Sequence, residues 1–166
     1  MPTVRRPAEA GQATWRVGNV PLPEPNLVGI AFGVLLHRLR PLLLPGPRHV
    51  HRWVGWALIA VGGHVVVRSV LTAASVNLER PTRLVTTGPY AVTRNPMYVG
   101  WALLHLGVGA VRGAGWILIA LPPAALEVHR EVLAEEQALI EEFGDEFENY
   151  RAAVPRYLPL GPIPFS

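Results

Sequence analysis

The stretch "VTRNPMYVG", Val92 to Gly100, stands immediately before a long apolar run. Asn95 and Pro96 suit a helix start. Asparagine is a favoured N-cap, and proline fits the first helical position because its missing N–H would have no intrahelical partner there. That reading leaves Arg94 and Tyr98, a cation and a polar aromatic, at the mouth of a segment apolar enough to enter a membrane. The run they introduce, "NPMYVGWALLHLGVGAV" from Asn95 to Val111, decides the fold class, because the chain on either side repeats its character.

Of the 166 residues, 50% are hydrophobic and 16% are charged, well below the quarter or so of charged residues in soluble domains. The mean hydropathy of +0.27 agrees. The length fits one domain. All 15 basic residues are arginine. They are scattered, and a net charge of +3 is small for a nucleic-acid binder, so no nucleic-acid partner is expected. Having no cysteine excludes disulfides, thiolate chemistry and Cys-type zinc sites. The histidines form neither H-E-x-x-H nor H-x-x-E-H, so no metal is expected. No G-x-S-x-G and no Walker-type glycine loop occurs.

Residues 1–25 are polar and proline-rich and lack the apolar segment of a cleaved signal peptide. They are expected to form a flexible or surface-lying arm ahead of a single domain, 26–166. Four apolar segments follow. Asn26–Leu44 is clean only through Leu36, and Pro41 ends or kinks it. Trp53–Val76 has 24 residues, enough to cross ~30 Å of hydrocarbon at ~1.5 Å per residue. Asn95–Val111 and Trp116–Phe143 form a hairpin around the turn "RGAG", with Gly107, Gly109, Gly113 and Gly115 allowing close approach at its tip. Pro122 and Pro123 are expected to kink the second arm, and neighbouring helices must satisfy the carbonyls so freed.

With an inside N-terminus, nine arginines fall on the cytosolic side and four or five outside. The positive-inside rule therefore predicts both termini in the cytosol. The fold expected is an all-α integral membrane protein of about four transmembrane helices with a cytosolic C-terminal helical cap. The loop Asn77–Arg94 and the tail after Glu131 then share one side and can meet.

In the tail, Val132, Leu139, Ile140, Phe143, Phe147 and Tyr150 form one helical face, and Gly144 divides it into two short helices. Glu131 and Glu135, four apart with Arg130 beside them, share a face where the helix leaves the apolar stretch. Two carboxylates there require a cation. Arg94 in a structural salt bridge and a cationic ligand are the two candidates. His64 and Arg68, mid-span and four apart, are either functional or paired within the bundle. His105 reads as a hydrogen-bonded packing residue.

Taken together, "LVTTGPYAVTRNPMYVG" and, after one hairpin, "EEQALIEEFGDEFENYRAAVPRYLP" resemble the C-terminal half of the isoprenylcysteine carboxyl methyltransferase and phospholipid methyltransferase superfamily. That pattern runs G-x-Y, R-H-P-x-Y-x-G, E-E-x-x-L, F-G and an aromatic–basic–proline stretch. The likeness covers roughly residues 80–160. It implies S-adenosylmethionine (SAM) as methyl donor, giving S-adenosylhomocysteine, in a bacterial-type enzyme of the inner (cytoplasmic) membrane. The partners implied are the lipid bilayer and a lipophilic small-molecule acceptor, either an isoprenylcysteine-like carboxylate or a lipid amine. The cofactor contacts implied are Leu84, Val85, Tyr90, Arg94, Asn95, Pro96, Met97, Tyr98 and Glu135, with Arg130 and Glu131 on the acceptor side.

Two positions depart from the pattern. Asn95 replaces the family histidine and cannot titrate near neutrality. Glu131 stands where the carboxyl methyltransferases place an arginine that reads the acceptor, and Arg130 is displaced by ~100° around the helix. Two other readings stay open: an NADPH-dependent sterol-type membrane reductase, against which Met97 and Trp101 argue, and a non-catalytic small membrane protein.

Overall fold

A computed structural model describes residues 24–73 and 83–158, and over these residues the chain is helical. The expected N-terminal arm falls almost entirely outside them, as do Arg80 and the last residues of the expected second span. The helices are α1, Glu24–Leu39; α2, Arg48–Ala73; α3, Pro96–Arg112; α4, Gly115–Ile119; α5, Leu121–Phe143; and α6, Asp145–Ala153. A 3₁₀ turn, Gly88–Ala91, precedes α3. Among the described residues α2 is the one helix long and apolar enough by itself to cross a membrane, with a mean hydropathy of 1.7. The 17 residues of α3 extend about 25 Å.

Helices α2 and α3 run antiparallel along a seam of glycines spaced by seven. A Cβ on Gly62 would lie 2.7 Å from the Gly100 carbonyl oxygen, and one on Gly55 would lie 2.8 Å from that of Gly107. Backbones this close exclude any side chain at those positions. The Gly107 expected at the hairpin tip is thus used in the α2 contact. The same register sets Arg68 level with Arg94, at the end of the helix pair rather than mid-span. Both His64 and Arg68 are exposed.

The hairpin turn follows from Gly113, whose φ of +61° puts it in the left-handed region and caps α3 through bonds to the Ala110 and Gly109 carbonyls. The segment after α1 closes this end: Leu44 N–H donates to the Gly113 carbonyl and Gly115 N–H to that of Leu42. Trp116 Nε1 donates to the Arg40 carbonyl at 2.7 Å.

The expected single kinked arm is two helices. Pro122 and Pro123 stand in the first turn of α5, where a missing N–H costs nothing, so they start a helix instead of bending one. His105 ties the end of α4 to the neighbouring helices. This fully buried residue donates from Nε2 to the Ile117 carbonyl at 2.8 Å. Its Nδ1 lies 3.2 Å from the side-chain amide of buried Asn26 in α1. With Nε2 carrying the proton, Nδ1 accepts, so the amide nitrogen of Asn26 must be the atom that faces it. One imidazole therefore joins α1, α3 and α4.

Candidate functional site

At the opposite end from the hairpin turn, the start of α3, the 3₁₀ turn, α5 and the chain after α6 converge. The buried stripe of α5 is Ala124, Val128, Val132 and Glu136, an i, i+4 series that puts a carboxylate where the next apolar residue would fall. Its side chain is 8% exposed. Arg94 reaches it with Nε at 3.1 Å and Nη2 at 2.9 Å, both on Oε1. Arg156 reaches it with Nε at 3.0 Å and Nη2 at 2.7 Å. Burial by itself raises the Glu136 carboxyl; the hydrogen bonds from Arg156 and Arg94 outweigh this and hold it below the usual carboxylate range. The same contact raises Arg156.

Arg94 spends its remaining donor, Nη1, on the carbonyls of Arg151 at 2.9 Å and Val154 at 2.7 Å. The backbone beside it continues the join. Arg94 N–H donates to the Pro155 carbonyl. The Thr93 hydroxyl and Asn95 Nδ2 both donate to the Arg156 carbonyl, at 2.9 and 3.1 Å. Asn95 holds the N-cap position without making a side-chain cap bond; its amide is directed to the tail. Neither Arg94 nor Asn95 thus presents its polar atoms outward. The tail 151–156 is fastened over the mouth of α3.

Tyr98 and Glu135 meet beside this clamp. The Tyr98 hydroxyl donates to Glu135 Oε1 at 2.8 Å. Glu135 is exposed along the helix side, yet desolvation of its carboxyl raises it above the usual range. The Tyr98 hydrogen bond opposes this, and the nearby Glu131 and Glu136 charges add to it. Arg94, one of the cations considered for Glu131 and Glu135, goes instead to Glu136. Glu131 is exposed. Arg130 turns outward to Glu127 at 2.6 Å, with both side chains more than half exposed.

Tyr90, Met97 and Ala73 form a buried cluster against which Val70 and Val85 pack. Leu84 is half-buried, and Pro96 is buried at the start of α3. The Tyr90 carbonyl accepts from the Tyr150 hydroxyl at 2.7 Å, and burial pushes the Tyr150 phenol up to about 12. The Tyr90 hydroxyl itself is buried without a partner, and burial raises it strongly, with the Tyr150 and Glu135 charges adding. The structure therefore gathers Val85, Tyr90, Met97, Tyr98 and Glu135 at one end of α3 with exposed Glu131 beside them, and turns Arg130 outward to Glu127.

Glu136, Arg156 and Tyr150 are absent from the sequence-derived set. Glu136 was legible in the four-residue spacing of the α5 stripe. Arg156 and Tyr150 were not, because only the fold of the tail brings them to α3.

The chain is similar to several known proteins. The sequence pattern of the phospholipid methyltransferase family matches residues 50–146. The nickel-cobalt-cadmium resistance protein NccN of Alcaligenes xylosoxydans xylosoxydans is 29% identical over 111 residues, 64% of this chain and 52% of that protein. The protein-S-isoprenylcysteine O-methyltransferase of Schizosaccharomyces pombe is 38% identical over 81 residues, 48% of this chain and 34% of that enzyme. The solved structure of the eukaryotic intramembrane Ras methyltransferase ICMT (isoprenylcysteine carboxyl methyltransferase) superimposes with a TM-score of 0.63 at 22% identity, covering 82% of this chain and 51% of that one. The chain thus spans about half the length of these proteins or less. Because the family pattern takes in α2, the Tyr90 turn, α3 and all of α5, the chain belongs to the phospholipid methyltransferase family.

Proposed function

We propose that the protein is an integral membrane methyltransferase that moves a methyl group from SAM to a lipophilic or membrane-associated acceptor. The observation that carries this reading is the Tyr98–Glu135 contact beside an unpartnered, buried Tyr90 hydroxyl. The donor set fits the cofactor. Glu135 can exchange its tyrosine partner for an α-ammonium group, a charge-assisted bond. The ring of Tyr98 offers a face to a sulfonium. The Tyr90 hydroxyl has a free donor for a polar atom of the nucleoside or amino-acid portion.

SAM supplies an activated methyl group on a cationic sulfur. The chain's task is to hold donor and acceptor in line and to keep water out. Met97, Val85 and Pro96 supply the apolar wall. Arg94 and Asn95 act at one remove, by fastening residues 151–156 over the site. Arg130 and Glu131 stand on the acceptor side. Four spans in an inner bacterial membrane, with both termini in the cytosol, would open this end to cytosolic SAM and its flank to lipid. An isoprenylcysteine-like carboxylate and a lipid amine are the acceptors the resemblance offers.

The test is calorimetry on the detergent-purified protein with SAM, S-adenosylhomocysteine and NADPH. Heat from both adenosyl ligands is expected. Absence of both refutes the methyltransferase reading, and binding of NADPH in their place would favour the reductase.

A further inference from the structure

The end of the bundle that carries the hairpin turn is cationic throughout. Backbone bonds from Leu44 and Gly115 join residues 42–44 to that turn. A Cβ on Gly55 would lie 2.6 Å from the Val111 nitrogen, so the start of α2 and the end of α3 stand level. Arg38, Arg40, Arg48, Arg52 and Arg112 gather at this end, all of them exposed. No Asp or Glu occurs between Glu24 and Glu79, or between Glu79 and Glu127, so these segments bring no counter-charge. The opposite end differs: Glu127–Glu148 holds nine carboxylates and one arginine.

Helix ends explain part of this charge. Arg38 and Arg112 stand in the last turns of α1 and α3, where the helix dipole favours cations. Arg48 and Arg52 open α2, where the dipole favours anions, and the first turn of α2 has no acidic residue. Nothing local therefore accounts for these two. Apolar side chains are interleaved with the arginines: Leu39, Leu43 and Val50 are exposed, and Trp53, beside Arg52, is 77% exposed. An acidic soluble partner would match the charges and leave these apolar side chains in water. A lipid interface takes both, tryptophan at the head-group level and arginine at the phosphates.

We infer that the hairpin end is a binding surface for anionic lipid head groups, its arginines donating to their phosphates while Leu39, Leu43 and Trp53 lie among the upper acyl chains. This rests on the integral-membrane part of the reading above and is independent of methyl transfer. A zwitterionic head group carries its own ammonium beside the phosphate and neutralises the arginines less well, so the surface prefers a lipid of net negative charge. Lipids held here set the depth of α2 and α3 in the bilayer, and with it the level of the candidate cofactor site at their other end.

The experiment uses the full chain in nanodiscs of phosphatidylcholine with a minor fraction of phosphatidylglycerol, brominated on the acyl chains of one lipid or the other. Quenching of tryptophan fluorescence reads which lipid touches the protein, and Trp53, Trp56 and Trp116 stand at this end. Phosphatidylglycerol is expected to be preferred about fivefold, the worth of one cation at an anionic surface, and salt should weaken the preference. Combining Arg40→Gln, Arg48→Gln, Arg52→Gln and Arg112→Gln should abolish it, with S-adenosylhomocysteine affinity unchanged. If the combined variant does not fold, Arg48→Gln and Arg52→Gln singly should each lower it, whereas Arg151→Gln at the other end should not. Equal quenching by the two lipids overturns the proposal. So does a preference that survives these hairpin-end substitutions, or one abolished by soluble glycerol phosphate at matched ionic strength. Quenching by neither lipid would strike the integral-membrane reading and this surface with it. Failure of S-adenosylhomocysteine to bind would strike the methyltransferase reading and leave the lipid result standing.

Discussion

Glu135 and Glu136 are chain neighbours whose carboxylates are held in opposite ways. Glu135 accepts one hydrogen bond, from Tyr98, and its carboxyl is raised. Glu136 accepts four, from two arginines, and its carboxyl is lowered. Adjacent residues on a helix are 100° apart, so one faces the clamp and the other the candidate cofactor site. This division separates what the end of the bundle needs for stability from what it offers to a ligand.

The clamp should be structural. Glu136→Ala leaves the Arg94 guanidinium buried without its anion and is expected to cost about 3–5 kcal/mol. Arg94→Ala leaves the carboxylate to Arg156 alone, with the Arg151 and Val154 carbonyls freed, and should cost nearly as much. Arg156→Ala should cost less, because its side chain is 33% exposed and water can replace part of the contact. Thermal unfolding in detergent orders the three variants.

The clamp should also fail in acid. The folded Glu136 carboxyl lies below its ordinary value of 4.5: burial raises it, and the hydrogen bonds from Arg156 and Arg94 outweigh that and hold it down. Its contribution is therefore present above that value and is lost as pH falls through the depressed folded one. Wild-type protein should lose stability in that window, and Glu136→Gln should flatten the loss. A wild-type profile with no such loss would show that Glu136 is not held ionised.

Cofactor binding should show the opposite window. A cation requires Glu135 ionised, and its raised carboxyl begins to protonate at a pH above the ordinary carboxylate range. SAM affinity should fall there as pH decreases, while Glu136 is still charged. Glu135→Gln should bind weakly, with little pH dependence. Calorimetric titrations across pH, on both proteins, measure this directly.

The glycine seam predicts a sharp contrast between neighbours. Gly62→Ala places a Cβ against the Gly100 carbonyl and should cost about 1–3 kcal/mol or more. Gly63→Ala meets nothing within 4 Å and should be neutral or gain about 0.5–1 kcal/mol from reduced backbone freedom. Denaturation of the two variants in one detergent decides the matter. Equal stability would mean α2 and α3 are not packed along Gly55 and Gly62.

Replacing His105 should loosen three helices together. His105→Ala leaves the Ile117 carbonyl and the Asn26 amide buried and unmatched, at about 1–3 kcal/mol for each. Asn26→Ala should cost less, since the Ile117 bond survives. Hydrogen exchange at the start of α5 is the sensitive readout.

The sequence by itself determined most of the helical segments, the turn between α3 and the following arm, the break at Gly144 and the Arg94–Tyr98 motif. Each is a local property: apolar run length, proline and glycine placement, and residue types in fixed order. It also placed two prolines inside the second arm. Only the tertiary structure decided that the prolines start α5, that His105 ties α1, α3 and α4 together, and that Arg94 goes to Glu136. Those outcomes depend on which faces meet across tens of residues. A salt-bridge partner is chosen by desolvation and geometry at the contact. Arg94 lies 42 residues from Glu136 and 62 from Arg156, and no local pattern records that distance in space. The sequence thus supplied Arg94, Tyr98 and Glu135, and packing added Glu136, Arg156 and Tyr150 and set the clamp apart from the Tyr98–Glu135 pair.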